Sequence, residues 1–227
     1  AGNYAGLASN QTVFSPASLG FIQSVDLNKA FIQFAGITAG RTTSFFDFYA
    51  NSFNWGGAMG SDTYGFDPVV LAYTASFGGG FTATLSLEDP SARRSAGSLV
   101  GPAGVSPFNY AGQRVPEIVA NLRVDQAWGS AQISGALHQL SPALPTAAGI
   151  LPDTEYGFAV QAGLKLNLPQ LAPGDQLWFQ AAYADGAMSY LGLTNASIAR
   201  QLGGVGLLQS EAQIDAFGNI SKTSGYS

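Results

Sequence analysis

The chain has 227 residues, of which 46% are apolar, 12% aromatic and only 10% charged, with a formal net charge of −5. Soluble domains usually carry roughly 25% charged residues, so the low charge needs a structural explanation. The acidic balance argues against nucleic-acid binding. The absence of cysteine excludes disulfides, thiolate metal sites and cysteine nucleophiles in this chain, and the single histidine, His138, leaves little room for a histidine-based metal site.

Alternation with a period of two recurs along the chain and predicts β-strands. After a polar entry at 1–28, two strands with loose alternation are predicted at 29–36 and 37–44. Six further strands alternate cleanly, and they are 69–77, 81–88, 117–126, 131–139, 156–166 and 176–185. Their length of about 8–11 residues is close to the ~9–11 that a tilted strand needs to cross a bilayer. Residues 186–227 alternate little and predict a loop-like tail.

The two faces of each predicted strand differ in chemistry. In 156–166 one face carries Tyr156, Phe158 and Val160, whereas the other carries Gln161 and Lys165. A soluble sandwich also alternates, but its outer face is normally rich in Lys and Glu. Here the second face is mostly small or uncharged polar, which is typical of a strand between lipid and a water-filled lumen. The pattern predicts an all-β, antiparallel transmembrane β-barrel.

The predicted connections alternate between short and long. Gly78-Gly79-Gly80 and Trp128-Gly129-Ser130 predict tight turns, whereas 45–66, 89–116 and 140–155 are long connections. Outer-membrane barrels alternate in this way, with short periplasmic turns and longer extracellular loops. A closed barrel has no edges, whereas eight strands with loop-like ends would leave two. We therefore interpret 1–227 as a single domain that forms part of a larger barrel.

Several stretches resemble a known family. AFIQFAGITAGRTTSFFDFY (30–49), ATLSLEDPSARR (83–94), PEIVANLRVDQAWGSAQISGALH (116–138), AGLKLNLP (162–169) and GDQLWFQAAYADGA (174–187) look like the alphaproteobacterial outer-membrane porin family. The resemblance implies a sixteen-stranded barrel, of which this chain provides about half, from around the fourth strand to the eleventh. It also implies a homotrimer among outer-membrane lipids, passive diffusion of small hydrophilic solutes and ions, and an inward-folded eyelet loop at 45–66 that narrows the pore.

The candidate pore-lining or constriction residues are the charged and polar side chains of the second face and the eyelet. Arg41 precedes the eyelet loop and would face Asp47 and Asp62 across the opening, as charged rings do in selectivity filters. A rim arginine and solvated loop carboxylates are the alternatives. The full set is Lys29, Arg41, Asp47, Asp62, Arg123, Asp125, Gln161 and Lys165.

Other charged residues receive simpler interpretations. Glu88, Asp89, Arg93 and Arg94 fall where a strand meets a long connection, and they are interpreted as a solvated loop cluster or as charges at the pore mouth. His138 is expected to be a polar side chain in the lumen. Since it is the only imidazole, no Ser–His–Asp arrangement can be assigned. No enzyme activity, cofactor, metal or nucleic-acid partner is predicted.

One alternative from another class stays open. A soluble, secreted β-sandwich adhesin or carbohydrate-binding module would also alternate with a period of two. Partitioning separates the two, since a protein that stays in aqueous solution without detergent and gives no conductance in a planar bilayer would contradict the barrel prediction.

Overall fold

The structure, a computed structural model, describes residues 29–49, 67–93, 97–101, 104–108, 114–141, 149–191, 212–214, 219–222 and 224–226. Thirteen strands and two short 3-10 helices lie in these ranges. In the same part of the chain, no helix has the length and the apolar character needed to span a membrane.

The strands are short in the second half of the tail and long in the middle of the chain. The 3-10 helices are Pro90–Ala92 and Met188–Leu191. The strands are β1 (Ala30–Phe34), β2 (Ile37–Arg41), β3 (Val69–Gly78), β4 (Phe81–Glu88), β5 (Gly97–Gly101), β6 (Gly104–Phe108), β7 (Glu117–Gln126), β8 (Gly129–Leu140), β9 (Glu155–Asn167), β10 (Gln176–Asp185), β11 (Ala212–Ile214), β12 (Ile220–Lys222) and β13 (Ser224–Tyr226).

Nine strands form one antiparallel sheet in the order β1-β2-β3-β4-β7-β8-β9-β10-β13. A second sheet has the order β12-β11-β5-β6, and its strands come from the connection after β4 and from the tail. The six cleanly alternating strands are confirmed, with ends that differ from the prediction by at most two residues. The all-β antiparallel fold class is therefore confirmed.

The first two predicted strands are shorter than the sequence indicated. Ala35 and Gly36 form the turn between β1 and β2, and β2 ends at Arg41 rather than at residue 44. Residues 42–44 leave the sheet because the chain turns there onto one of its faces. Alternation alone could not locate this departure, since the segment that follows is also rich in aromatic residues.

The tail differs from the loop-like tail predicted for 186–227. Its described residues include the 3-10 helix Met188–Leu191 and three short strands. β13 pairs with β10, with Tyr183 opposite Tyr226 and Asp185 opposite Ser224. Strands of three residues are too short to show a period of two, so the sequence pattern could not predict them. β13 is placed by its pairing with β10, which is distant in sequence.

The connections alternate between two ends of the nine-stranded sheet. Two-residue turns at 35–36, 79–80 and 127–128 join neighbouring strands at one end, which we call the turn end. The long connections that follow β2, β4 and β8 lie at the other, which we call the loop end. Gly80 has a φ of +80°, and a Cβ there would lie 2.0 Å from the Asp125 carbonyl oxygen, so this tight turn requires glycine.

The exposure of the two faces is the reverse of that in a soluble domain. On the face that we call apolar, Leu71, Ile133 and Phe179 are 55%, 61% and 53% exposed. On the opposite face, which we call polar, Glu117 and His138 are buried. An exposed apolar surface of this extent is stable only where it contacts apolar surroundings.

Candidate functional site

A segment that we call the inward segment, residues 42–49, leaves β2 and runs across the polar face. Asn121 Nδ2 on β7 donates a hydrogen bond to the Phe45 carbonyl oxygen at 2.7 Å. Ser134 Oγ on β8 donates to the Phe46 carbonyl oxygen at 2.6 Å. Asn121 and Ser134 are direct cross-strand partners, so neighbouring strands present both donors side by side. Polar side chains of β7 and β8, which we call the wall together with the rest of the nine-stranded sheet, therefore donate hydrogen bonds to the backbone carbonyl groups of the segment.

The segment crosses the sheet diagonally, because its successive residues contact successive strands. Ser44 bonds to Glu88 at the end of β4, and the residues after it contact β7 and β8. Phe48 packs on Gly163 of β9. Tyr49 then packs against the Trp178 ring of β10 with the ring centroids 3.9 Å apart. The segment thus runs from the loop end toward the turn end.

Phe46 fills a small apolar core on the polar face. Its ring packs edge-on against Tyr190, with a centroid distance of 4.7 Å and an interplanar angle of 64°. Small side chains on the strands below leave room for this ring, and they are Val119, Ala136, Ala159, Ala182 and Ala184. The alanines of the polar face are therefore covered by the inward segment, and they do not line an open lumen at these positions.

A buried carboxylate holds the start of the inward segment. Glu88 accepts hydrogen bonds from Ser44 Oγ at 2.7 Å and from the Phe45 backbone N–H at 3.0 Å. The same carboxylate pairs with Arg93 Nη2 at 2.9 Å, and both side chains are fully buried. Glu88 therefore links the wall, the inward segment and the connection that follows β4.

A second buried carboxylate lies directly beside the first. Glu117 is the cross-strand partner of Glu88. Glu117 accepts from His138 Nδ1 at 2.8 Å and from the Tyr190 hydroxyl at 3.2 Å. Like charges in directly opposite positions repel each other. Arg93 and His138 offset this repulsion by placing one donor group on each carboxylate, so the four side chains form one unit.

The surroundings of Arg93 and Tyr190 fix their charge states. Burial lowers the pKa of Arg93, but Tyr190 and the carboxylates of Glu88, Asp47 and Glu117 more than offset it, so the pKa lies above its usual range. Burial also raises the pKa of Tyr190 well above its usual value. The guanidinium therefore stays charged and lies 4.1 Å from the centroid of a neutral phenol ring.

The prediction that Glu88 and Arg93 form a solvated loop cluster is wrong. The alternation of β4 already put Glu88 on the polar face. Only the tertiary structure brings Ser44 and Arg93 onto this carboxylate and places the Tyr190 ring on the Arg93 guanidinium. His138 is likewise fully buried rather than exposed in a lumen, and it shares its partner Glu117 with Tyr190 of the 3-10 helix Met188–Leu191.

Three of the predicted site residues lie together near the turn end. Arg123 Nε and Nη2 donate to the two Asp125 carboxylate oxygens at 2.7 and 2.8 Å, and both side chains are partly exposed. Ser130 Oγ also donates to Asp125. Lys165 Nζ lies 5.3 Å from the Trp178 ring centroid. Two cations and one anion thus face the same space, with a net charge of about +1 at neutral pH.

Two other predicted residues converge at the loop end on an aspartate that the sequence analysis missed. Lys29 Nζ pairs with the Asp67 carboxylate at 3.6 Å, and Lys29 also bonds to the Thr43 hydroxyl. Arg41 Nε donates to the Asp67 carbonyl oxygen at 3.1 Å. The register of β2 with β3 places Arg41 opposite Val69, two residues after Asp67. This pairing, once known, is the signal that could have identified Asp67.

The remaining predicted residues have different positions. Asp47 lies on the inward segment and is buried, with its carbonyl oxygen accepting from Gln132 Nε2 at 3.2 Å. Gln161 lies on the polar face of β9 but is only 3% exposed. Asp62 lies outside the described residues, so a pairing with Arg41 stays a prediction. Among the described residues, no group of three histidine, aspartate or glutamate side chains could hold a metal ion.

A protein family and a solved outer-membrane channel are similar to this chain. The family described as "Porin subfamily" matches the chain over residues 2–225. The fold is similar to the crystal structure of the outer membrane channel DcaP of Acinetobacter baumannii, with a TM-score of 0.56 and 17% sequence identity. That similarity covers 86% of this chain and 47% of the other, so this chain spans about half the length of the channel. A comparison with curated proteins finds no match.

We predict that Glu88→Gln strongly destabilises the protein. The substitution leaves Arg93 buried without its carboxylate and weakens the hold on Ser44. Breaking one side of a buried ion pair costs about 3–5 kcal/mol. The measurement is the free energy of unfolding from denaturant titration in lipid vesicles.

Asp125→Asn is the matched control, since it breaks the partly exposed pair with Arg123. An exposed pair contributes about 1 kcal/mol or less. Equal losses in the two variants would contradict the structural role assigned to Glu88.

Proposed function

The chain belongs to the porin subfamily, and on that basis we propose that it forms part of the wall of a bacterial outer-membrane channel for passive diffusion of small hydrophilic solutes and ions. The observation that carries the proposal is the division between the exposed apolar face and the polar face crossed by the inward segment. In lipid, a sheet must pair its backbone groups internally, which leaves one face for acyl chains and the other for the interior.

The β-sandwich alternative fits the described strands less well. A sandwich buries the apolar faces of two sheets against each other. On the nine-stranded sheet, large apolar side chains such as Ile32 and Phe34 of β1 are instead 75% and 78% exposed. A diffusion channel needs no catalytic residue, and we propose none for this chain.

We propose that residues 45–66 narrow the channel as an eyelet loop. The hydrogen bonds from Asn121, Gln132 and Ser134 to residues 45–47 support this proposal, because they hold the start of the loop against the polar face. Residues 50–66 lie outside the described part of the chain. Arg41 would then sit at the base of the loop and contribute to the field across the opening, together with Asp47 and Asp62.

We also propose an orientation and an assembly. Short turns of outer-membrane barrels face the periplasm. The turn end would therefore face the periplasm, and the loop end would face the cell exterior. The resemblance of stretches 30–49 and 116–138 to trimeric porins supports a homotrimer of the whole protein. The acyl chains of both leaflets and neighbouring subunits would then cover the exposed apolar side chains.

The first test of this function is electrical. Protein purified from outer membranes in detergent and added to a planar lipid bilayer should produce discrete current steps that scale with voltage and salt concentration. A water-filled passage without a binding step has this behaviour, whereas a soluble adhesin has no reason to insert. Protein that stays in solution without detergent and gives no current steps would contradict the proposal.

We predict that Leu122→Arg lowers the free energy of unfolding in lipid vesicles by about 2–4 kcal/mol, the cost of a cation at the bilayer midplane. Leu122 is 51% exposed in the middle of β7 on the apolar face. Ser76→Arg is the control, since Ser76 is exposed on the polar face of β3, one residue away from the level of Leu122. A similar loss in both variants would refute the assignment of faces.

Ion selectivity provides a third prediction. Lys165 is partly exposed beside Arg123 and Asp125, and charges beyond a Debye length of ~8 Å are largely screened in physiological salt. Lys165→Gln should therefore shift the reversal potential in a salt gradient toward cation preference. Lys165→Arg keeps the charge and should leave the reversal potential near the wild-type value. A shift of the same size in both variants would show that the lysine charge does not act on permeating ions.

A further inference from the structure

We propose that Gly163 is a specificity-determining residue, because it lets Phe48 of the inward segment lie directly on the wall and so sets the free cross-section of the passage. This inference rests on the proposed channel function and concerns the same site. It assigns the size limit for solutes to one contact between β9 and the inward segment.

The contact leaves no space for a side chain at position 163. A Cβ built on Gly163 would lie 2.1 Å from Cδ1, 2.5 Å from Cγ and 2.9 Å from Cβ of Phe48. Carbon atoms in van der Waals contact are roughly 3.5–4.0 Å apart, so any side chain would overlap with the ring. The three overlapping atoms are Cβ, which attaches the ring to the backbone, and the ring atoms Cγ and Cδ1. None of them is the far end of a flexible side chain, so a small side-chain rotation cannot relieve the overlap.

The backbone at Gly163 does not itself require glycine. Gly163 does not have a positive φ. It lies inside β9, opposite Gln132 on one side and Gln180 on the other. A strand interior normally disfavours glycine, which packs nothing and costs conformational entropy. The close approach of Phe48 is therefore the physical reason for glycine at this position.

Neighbouring groups restrict where the ring can move. The Arg123 guanidinium of β7 lies 5.4 Å from the Phe48 ring centroid, and the Trp178 ring of β10 lies at 5.3 Å with a tilt of 56°. Gln132 holds the chain just before the ring through the carbonyl oxygens of Phe46 and Asp47. With both sides flanked and the preceding backbone attached, a side chain at 163 can displace the ring only away from the wall.

Phe48 itself is buried, so displacement away from the wall pushes the ring, and with it the groups that cover the ring, toward the space through which solutes would pass. The cross-section should then decrease, and large solutes should be excluded more strongly than small ones. Removing the ring should have the opposite effect at the same place. The two substitutions should therefore cancel when they are combined.

The experiment compares Gly163→Ala with Gly135→Ala in the protein purified from outer membranes. Gly135 lies on neighbouring strand β8, and a Cβ there would approach only the Ala159 carbonyl oxygen, at 3.8 Å. We expect Gly163→Ala to lower the single-channel conductance and to slow liposome swelling more for larger sugars than for smaller ones. Gly135→Ala should match the wild type in both measurements.

The combined variant Gly163→Ala with Phe48→Ala makes the test independent of general damage to β9. If ring displacement causes the loss, the second substitution restores the conductance to the wild-type value or above. A conductance of Gly163→Ala that equals or exceeds that of Gly135→Ala overturns the inference, as does a double variant as low as the single one. If the wild type itself forms no channel, the proposed function fails, which is a distinguishable result.

Discussion

The pairing register of the long strands decides which side chains lie on each face of the sheet. Side chains alternate between the faces of a strand, so a shift of one residue would move each apolar side chain to the interior and each polar one outward. In the observed register, Leu122 lies beside Ala83 and Ile133, whereas Arg123 lies beside Thr82 and Gln132. All described strands of the middle of the sheet agree on the same division, which is why one continuous apolar face results.

The polar face has a structure of its own. Near the loop end, paired carboxylates, a guanidinium and an imidazole are buried together, and Glu88 also holds the inward segment through Ser44 and Phe45. A buried carboxylate or guanidinium is stable only when a group of opposite charge or a hydrogen-bond partner faces it. Their arrangement connects the wall, the start of the inward segment and the tail segment that carries Tyr190, so these parts are expected to keep their relative positions together.

Small residues complete the fit between the wall and the inward segment. Alanines below Phe46 and the glycine below Phe48 allow two aromatic rings to lie close to the sheet. The partly exposed charges of Arg123, Asp125 and Lys165 lie beyond these rings, toward the turn end. The same strands thus combine close packing near the loop end with accessible charge at the turn end. The path of residues 44–49 across the sheet sets the boundary between these two regions.

The sequence by itself determined the six long strands β3, β4, β7, β8, β9 and β10, their faces and the alternation of short and long connections, because these follow from a local period of two and from turn residues. It also indicated Arg123, Asp125 and Lys165 as polar-face residues. The tertiary structure alone decided that Glu88, Arg93 and His138 are buried, that Asp67 joins Lys29 and Arg41, and that Phe48 lies on Gly163. Those outcomes depend on where the inward segment and the residues around Tyr190 cross the sheet, and such contacts between distant parts of the chain leave no periodic signal in the sequence.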